Sequence, residues 1–155
     1  MDTEEYYSIV LGRMQAQCSK KECCSSDIYN KAVIALDGDR ETAAKLVASL
    51  VEDKFLDDYR YACAFARDKS SLSGWGPVKI SYMLSAKGIA KDVINSAMEE
   101  IDSHKASDKL ESILSAKHRL LKEDKDCKLK LLRFALSRGY NYDVVAPIVD
   151  NLMRK

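Results

Sequence analysis

Apolar residues recur along this chain at helical spacing. Ala43, Leu46, Val47, Leu50 and Val51 fall at i, i+3, i+4, i+7 and i+8, which draws one apolar stripe down one helix face. Val93, Ile94, Ala97, Met98 and Ile101 repeat the figure, and so do Val144, Val145, Ile148, Val149 and Leu152. No segment sustains a period of two, and no turn dipeptide sits between two alternating runs as a hairpin requires. The pattern predicts an all-α protein.

The three stripes have the same prelude. Gly38, Gly88 and Gly139 each end a short amphipathic run and precede one stripe, at intervals of 50 and 51 residues. Superposed, Lys87-Gly88 meets Arg138-Gly139, and Asp92-Val93-Ile94 meets Asp143-Val144-Val145. A glycine there ends a helix in the left-handed conformation without a Cβ penalty. The repeating unit is therefore three helices: one long, one short and glycine-terminated, and one that carries the stripe. The nine helices are predicted over 4–18, 25–36, 40–54, 57–70, 77–87, 91–102, 105–121, 127–138 and 142–153, grouped into units 1–55, 56–103 and 104–155. A single unit is too small to bury a core alone. The expected architecture is a tandem array of three three-helix units in an elongated, curved body.

Composition permits this, with 46% apolar and 32% charged residues and only six glycines and two prolines. The net charge of +1 conceals a gradient: the three units carry −3, −1 and +5. Positive charge is concentrated where an anionic partner would be drawn, at the C-terminal unit. The opening "MDTEEYYSIV" has no basic-then-apolar pattern of a secretory signal, and the longest apolar runs, "YACAFA" and "VVAPIV", fall far short of the ~20 residues a bilayer span needs. A soluble, cytoplasmic protein is expected, with its five cysteines reduced, Cys63 in the core, and no metal site, since the cysteines form no CxxC pair. No phosphate loop, GxSxG or HExxH occurs, so neither an enzyme nor a cofactor is expected.

The central "GWGPVKISYMLSAKGI", Gly74 to Ile89, is fixed at both ends. Pro77 suits the first helical turn, Gly76 the cap before it, and Gly88 the stop. Ile80, Met83 and Leu84 face inward, while Lys79 and Lys87 reach outward. Trp75, the chain's only tryptophan, reads as an anchor packed on the helix upstream. That helix, from "LDDYRYACAFARDKS", places Tyr59, Ala62, Cys63 and Ala66 on one face and Arg60 and Arg67 on the opposite edge.

These residues resemble a known family. Leu56-Asp57-Asp58, Arg60-Tyr61-Ala62, Arg67, Gly76-Pro77-Val78-Lys79-Ile80 and Leu84-Ser85-Ala86-Lys87-Gly88-Ile89 are similar to the RecX family, bacterial regulators of the RecA recombinase. Leu132 to Val145, "LRFALSRGYNYDVV", resembles that family's closing run. Met83 and Ala135 depart from the usual acidic residue and leucine, and residues 1–40 match weakly. The resemblance implies a curved array of three-helix units without catalytic residues. It implies binding to RecA filaments on single-stranded DNA and restraint of recombinase, ATPase and coprotease activity.

The candidate partner-binding residues are Arg60, Arg67, Lys79 and Lys87 with the basic set Lys117, Arg119, Lys122, Lys128, Lys130, Arg133 and Arg138. In the last unit Leu129, Leu132 and Leu136 are expected to be buried beside the exposed Lys130, Arg133 and Ser137. Three functions fit: a filament-binding modulator, an autonomous DNA-binding protein, and a helical scaffold for another partner. The aromatics do not interleave with the basic cluster in sequence, which weighs against a DNA-stacking platform. Pro147, inside the last stripe, should kink its helix. A capped array of this size is expected to be a monomer.

Overall fold

Aspartates open the long helices. Asp2 accepts from Glu4 N at 2.6 Å and Glu5 N at 3.2 Å, Asp57 from Arg60 N at 3.1 Å, and Asp102 from His104 N at 3.0 Å. The helices they start are α1 (Thr3–Lys20), α4 (Asp58–Ser71) and α7 (Ser103–Leu121). Asp39 does the same for α3 (Arg40–Glu52). Each cap satisfies amides that have no intrahelical partner and stabilises its helix by about 1 kcal/mol. The other helices are α2 (Ser25–Ala35), α5 (Pro77–Ala86), α6 (Lys91–Met98), α8 (Cys127–Ser137) and α9 (Tyr142–Met153), and none of them has a side-chain cap of its own.

The structure is a computed structural model that describes residues 2–155, and the described residues form nine helices and no strand. They gather round three apolar cores. The first contains Val10, Ile28, Leu46 and Leu50, the second Ala62, Ile80, Leu84 and Ile94, and the third Leu110, Leu131, Val145 and Val149. The cores interlock across the chain: Leu56 closes the first and Cys24 enters the second. The accessible surface is 9854 Å². A compact monomer of 17.4 kDa would expose roughly 7,900 Å², so the excess marks an elongated body. No helix is long and apolar enough to cross a membrane among the described residues.

Two of these helices, α5 and α2, are capped by their neighbours. At the start of α5, Gly76 N donates to Arg138 O at 2.7 Å and Val78 N to Gly139 O at 2.9 Å. Pro77, between them, has no N–H to leave unpaired. Arg138 Nη1 donates to Ser73 O and Tyr140 Oη to Gly74 O, both at 3.0 Å. The amides that open α5 thus satisfy the carbonyls that close α8. At the start of α2 side chains do the equivalent work. Ser25 N donates to Asp58 Oδ1 at 2.9 Å, Ser26 Oγ to Lys87 O at 2.5 Å, and Lys87 Nζ pairs with Asp27 at 2.9 Å. So the C-terminal end of α8 meets the N-terminal end of α5, and the C-terminal end of α5 meets the N-terminal end of α2, opposite dipole ends in contact. At the far end of α2 the stack stops at Ala35, whose carbonyl accepts from the hydroxyl of Tyr6.

Gly139, at φ +94°, has the left-handed backbone its place after α8 predicts, and Gly38 and Gly88 have it too. Two expectations are corrected. On α8 the buried residues are Cys127, Leu131 and Ala135, whereas Leu129 and Leu136 are 46% and 43% exposed. The helix carries two apolar stripes, and the small Cys127 and Ala135 let it approach α7 and α9 more closely than a leucine ridge would. Tyr59 is 40% exposed, not core, and its hydroxyl donates to Glu100. Ala62, Cys63 and Ala66 are buried as expected. Pro147 lies inside α9 without ending it. Pro147 and Asp143, four residues earlier, are both exposed, so water can take the carbonyl the proline leaves free.

A Cβ on Gly139 would lie 2.6 Å from Lys79 N and 2.9 Å from its Cα. Gly139→Ala should therefore lose about 2–4 kcal/mol in urea unfolding, from φ strain and overpacking together. Gly12→Ala, mid-helix with nothing within 4 Å of its added Cβ, should gain about 0.5–1 kcal/mol. The Asp27–Lys87 pair gives a pH signature. Burial raises Asp27, but the hydrogen bonds from Lys87 and Cys24 and the charges of Lys87 and Lys31 together outweigh it and hold the carboxyl below its ordinary 3.8. A depressed carboxyl stabilises above its unfolded value and loses that contribution as pH falls through the folded one. Asp27→Asn should cost about 0.5 kcal/mol at neutral pH, the pair being screened by solvent. Unfolding curves of the two proteins should converge as pH drops below 3.8.

Candidate functional site

The α8–α5 joint carries an aromatic residue on either side, Trp75 and Phe134, each with cations over its ring. Trp75 follows the tight turn at Gly74, and its amide donates to Lys69 O at 2.9 Å. Its ring meets Phe65 of α4 edge-on, with centroids 6.1 Å apart, as its reading as an anchor predicts. Lys79 Nζ lies 4.2 Å from the indole centroid and Lys69 Nζ 4.7 Å. Across the joint Lys117 Nζ stands 5.0 Å, and the Arg138 guanidinium 5.3 Å, from the Phe134 ring. Each stacked cation contributes about 0.5–1 kcal/mol where solvent reaches it.

Arg138 and Gly139 touch the Ser73–Lys79 turn directly, so the two clusters form one strip. Beside Phe134 an open groove of about 410 Å³ is lined by Lys117, Leu121, Lys130, Arg133 and Ser137. The sequence expectation that aromatics and cations do not interleave is overturned here. They interleave in space, because the start of α5 meets the end of α8 although the whole of α6 and α7 lies between them in sequence.

The remaining predicted residues are dispersed. Arg60 Nε lies 3.1 Å from Glu22 Oε2, and Nη2 donates to Lys54 O at 3.0 Å, which ties α4 to the end of α1. Lys87 points to Asp27. Lys128 pairs with Asp150 at 3.2 Å and Lys130 with Asp124 at 2.5 Å. The hydrogen bond to Asp124 raises Lys130 above its usual value and lowers Asp124 in turn. Arg67, Arg119, Lys122 and Arg133 are exposed. Lys79, Lys117, Lys130, Arg133 and Arg138 are therefore the predicted residues that the tertiary structure gathers. Lys69 was missed, and its signal was the six-residue spacing from Trp75 across a Ser-Gly turn.

Chemistry beyond binding finds little support in the side chains. All five cysteines are free and buried. Burial pushes Cys18 up to about 11 and raises Cys24, so these thiols stay protonated as packing groups. Burial likewise raises Tyr140, which keeps its hydroxyl a donor to Gly74 O. Among the described residues no cluster of His, Cys, Asp and Glu could hold a metal ion.

The comparisons with known proteins converge. A family profile for RecX, second three-helix domain, matches residues 57–98. The regulatory protein RecX of Clostridium botulinum (strain Eklund 17B / Type B) is 38% identical over 117 residues, covering 72% of this chain and 53% of that protein. Its counterpart in Lactococcus lactis subsp. cremoris (strain SK11) is 30% identical over 118 residues, covering 74% and 44%. The chain spans about half the length of the curated relatives it matches. The crystal structure of RecX from Lactobacillus salivarius superposes with a TM-score of 0.84 at 19% identity, covering 98% of this chain and 99% of that one. A second crystal structure, of a regulatory protein RecX, gives 0.83 at 21%, covering 96% and 73%. At those identities the structures establish the fold. Taken with the profile match over α4–α6 and the 38% relative, they make this chain a member of the RecX family.

Proposed function

We propose that this chain binds the filament that RecA recombinase forms on single-stranded DNA and restrains its recombinase, ATPase and coprotease activities. It acts by occupancy, with no reaction of its own. The observation that supports this reading is an overlap: the profile match over residues 57–98 contains Lys69, Trp75 and Lys79, one half of the aromatic–cationic strip. The other half, with Phe134 and Arg138, comes from the segment with the +5 excess. A nucleoprotein filament is strongly anionic, so a basic strip is drawn to it at long range. The aromatic rings give those cations defined positions.

One observation favours a second reading, direct contact with nucleic acid. Rings flanked by lysines and arginines are what a sequence-tolerant single-strand surface uses. On that reading, affinity for bare single strands would fall with salt by a log–log slope of about 0.7 per phosphate contacted.

An ATPase titration separates the two. Substoichiometric protein should lower the DNA-dependent ATPase of RecA. An unchanged rate at stoichiometric protein, together with tight salt-sensitive binding of bare DNA, would select the second reading. Within the strip, the double variant Lys117→Glu/Arg133→Glu should weaken inhibition about tenfold or more while circular dichroism and melting stay the same. Lys130 is left out because reversing it would strand Asp124. Undiminished inhibition by the folded double variant would remove this groove from the interface.

A further inference from the structure

Behind the strip, where the middle three helices meet the last three, the structure holds an open apolar cavity of about 320 Å³. Trp75, Pro77, Ile80, Met98, Leu110 and Tyr140 supply most of its wall. We infer that this cavity is an anchor pocket for one bulky apolar side chain carried on an acidic segment of a partner protein. The inference deepens the modulator reading and rests on it, since it takes the partner to be a protein.

Size sets the first limit. Pockets for small molecules span roughly 300–1,000 Å³, so this one sits at the bottom of the range and suits a single ring or branched aliphatic group. Rigidity comes next. Two of its walls belong to the backbone joint: Pro77 lies between the amides that bind Arg138 O and Gly139 O, and Tyr140 is tied to Gly74 O. A pocket held this way does not spend binding energy on ordering itself, which is what a hot-spot anchor requires.

Charge then chooses the flank. The indole wall carries the ammonium groups of Lys69 and Lys79, and neither belongs to any of the salt bridges among the described residues. A segment with carboxylates beside its anchor would meet those lysines as the anchor enters. The aliphatic walls disfavour a nucleic-acid base, whose polar edges would face Ile80, Met98 and Leu110.

Trp75 is the only tryptophan, so its fluorescence reads the pocket directly. The probe is an acetylated, amidated pentapeptide, Asp-Glu-Phe-Glu-Asp, with Lys-Lys-Phe-Lys-Lys as its charge-reversed counterpart. The acidic peptide should shift the emission saturably and the basic one should not. Ser107 is exposed and lines the cavity, so Ser107→Phe fills it from the solvent side. That variant should weaken the acidic peptide by about tenfold or more, with Ser107→Leu as the smaller substitute if the phenylalanine disturbs folding.

An equal response to both peptides, or an undiminished response in folded Ser107→Phe, overturns the inference. So does a thymidine oligonucleotide that shifts Trp75 in a Ser107-dependent way when the peptide does not. The RecA ATPase assay keeps the two readings apart. If the wild type inhibits and Ser107→Phe inhibits equally, the pocket inference falls and the modulator reading stands. If the wild type does not inhibit while the acidic peptide still binds in a Ser107-dependent way, the modulator reading falls and the pocket keeps its peptide specificity.

Discussion

Gly76 packs on the Gly139 backbone and Gly139 on Lys79 so closely that neither glycine has room for a Cβ, and these contacts bring the first amides of α5 onto the last carbonyls of α8. Helix ends normally leave such groups to water or to side chains. Here donors left over at one end meet acceptors left over at the other, and a buried joint keeps its polar groups paired. Pro77 belongs to the same arrangement, because it removes the one amide between Gly76 and Val78 that would have no acceptor. The glycines and the proline are the chemistry that allows one helix to continue where another stops.

The rest of the surface inherits its geometry from that joint. Arg138, stacked on Phe134, reaches Ser73 beside Trp75 because the end of α8 abuts the start of α5. Lys79 and Arg138 flank the joint from either side, and each stacks on an aromatic ring. The apolar cavity opens behind the same turn, walled by Pro77 and Tyr140. At the other joint, between α5 and α2, side chains replace the backbone pairing. There Lys87, Asp27 and Ser26 serve as fasteners, while Arg60 and Glu22 hold α4 to the end of α1. Two arginine and lysine positions that look equally basic in sequence thus divide by role, according to which joint they occupy.

Much of the fold was legible because it rests on local rules. The stripes at i, i+3 and i+4 located the helices. Gly38, Gly88 and Gly139 located their ends, since each takes the left-handed backbone a terminating glycine needs. Where one helix offered two solutions, local rules ran out. Leu129, Leu132 and Leu136 make as good a stripe as Cys127, Leu131 and Ala135, and only the closeness of α7 and α9 chose the second. Tyr59 fell at the margin of its face, where a partner for its hydroxyl decided that it stays outside.

By itself, then, the sequence determined the helices, their glycine stops, the threefold repetition and the uneven charge. These follow from local spacing, from composition, or from the return of the same local pattern at Gly38, Gly88 and Gly139. The tertiary structure alone decided which cations act together. Lys69 and Lys79 bracket Trp75, Lys117 and Arg138 bracket Phe134, and those two groups adjoin only because distant helix ends exchange hydrogen bonds. Periodicity reports which face of a helix turns inward. It carries no information on which helix end lies against another, and on that meeting both the strip and the pocket depend.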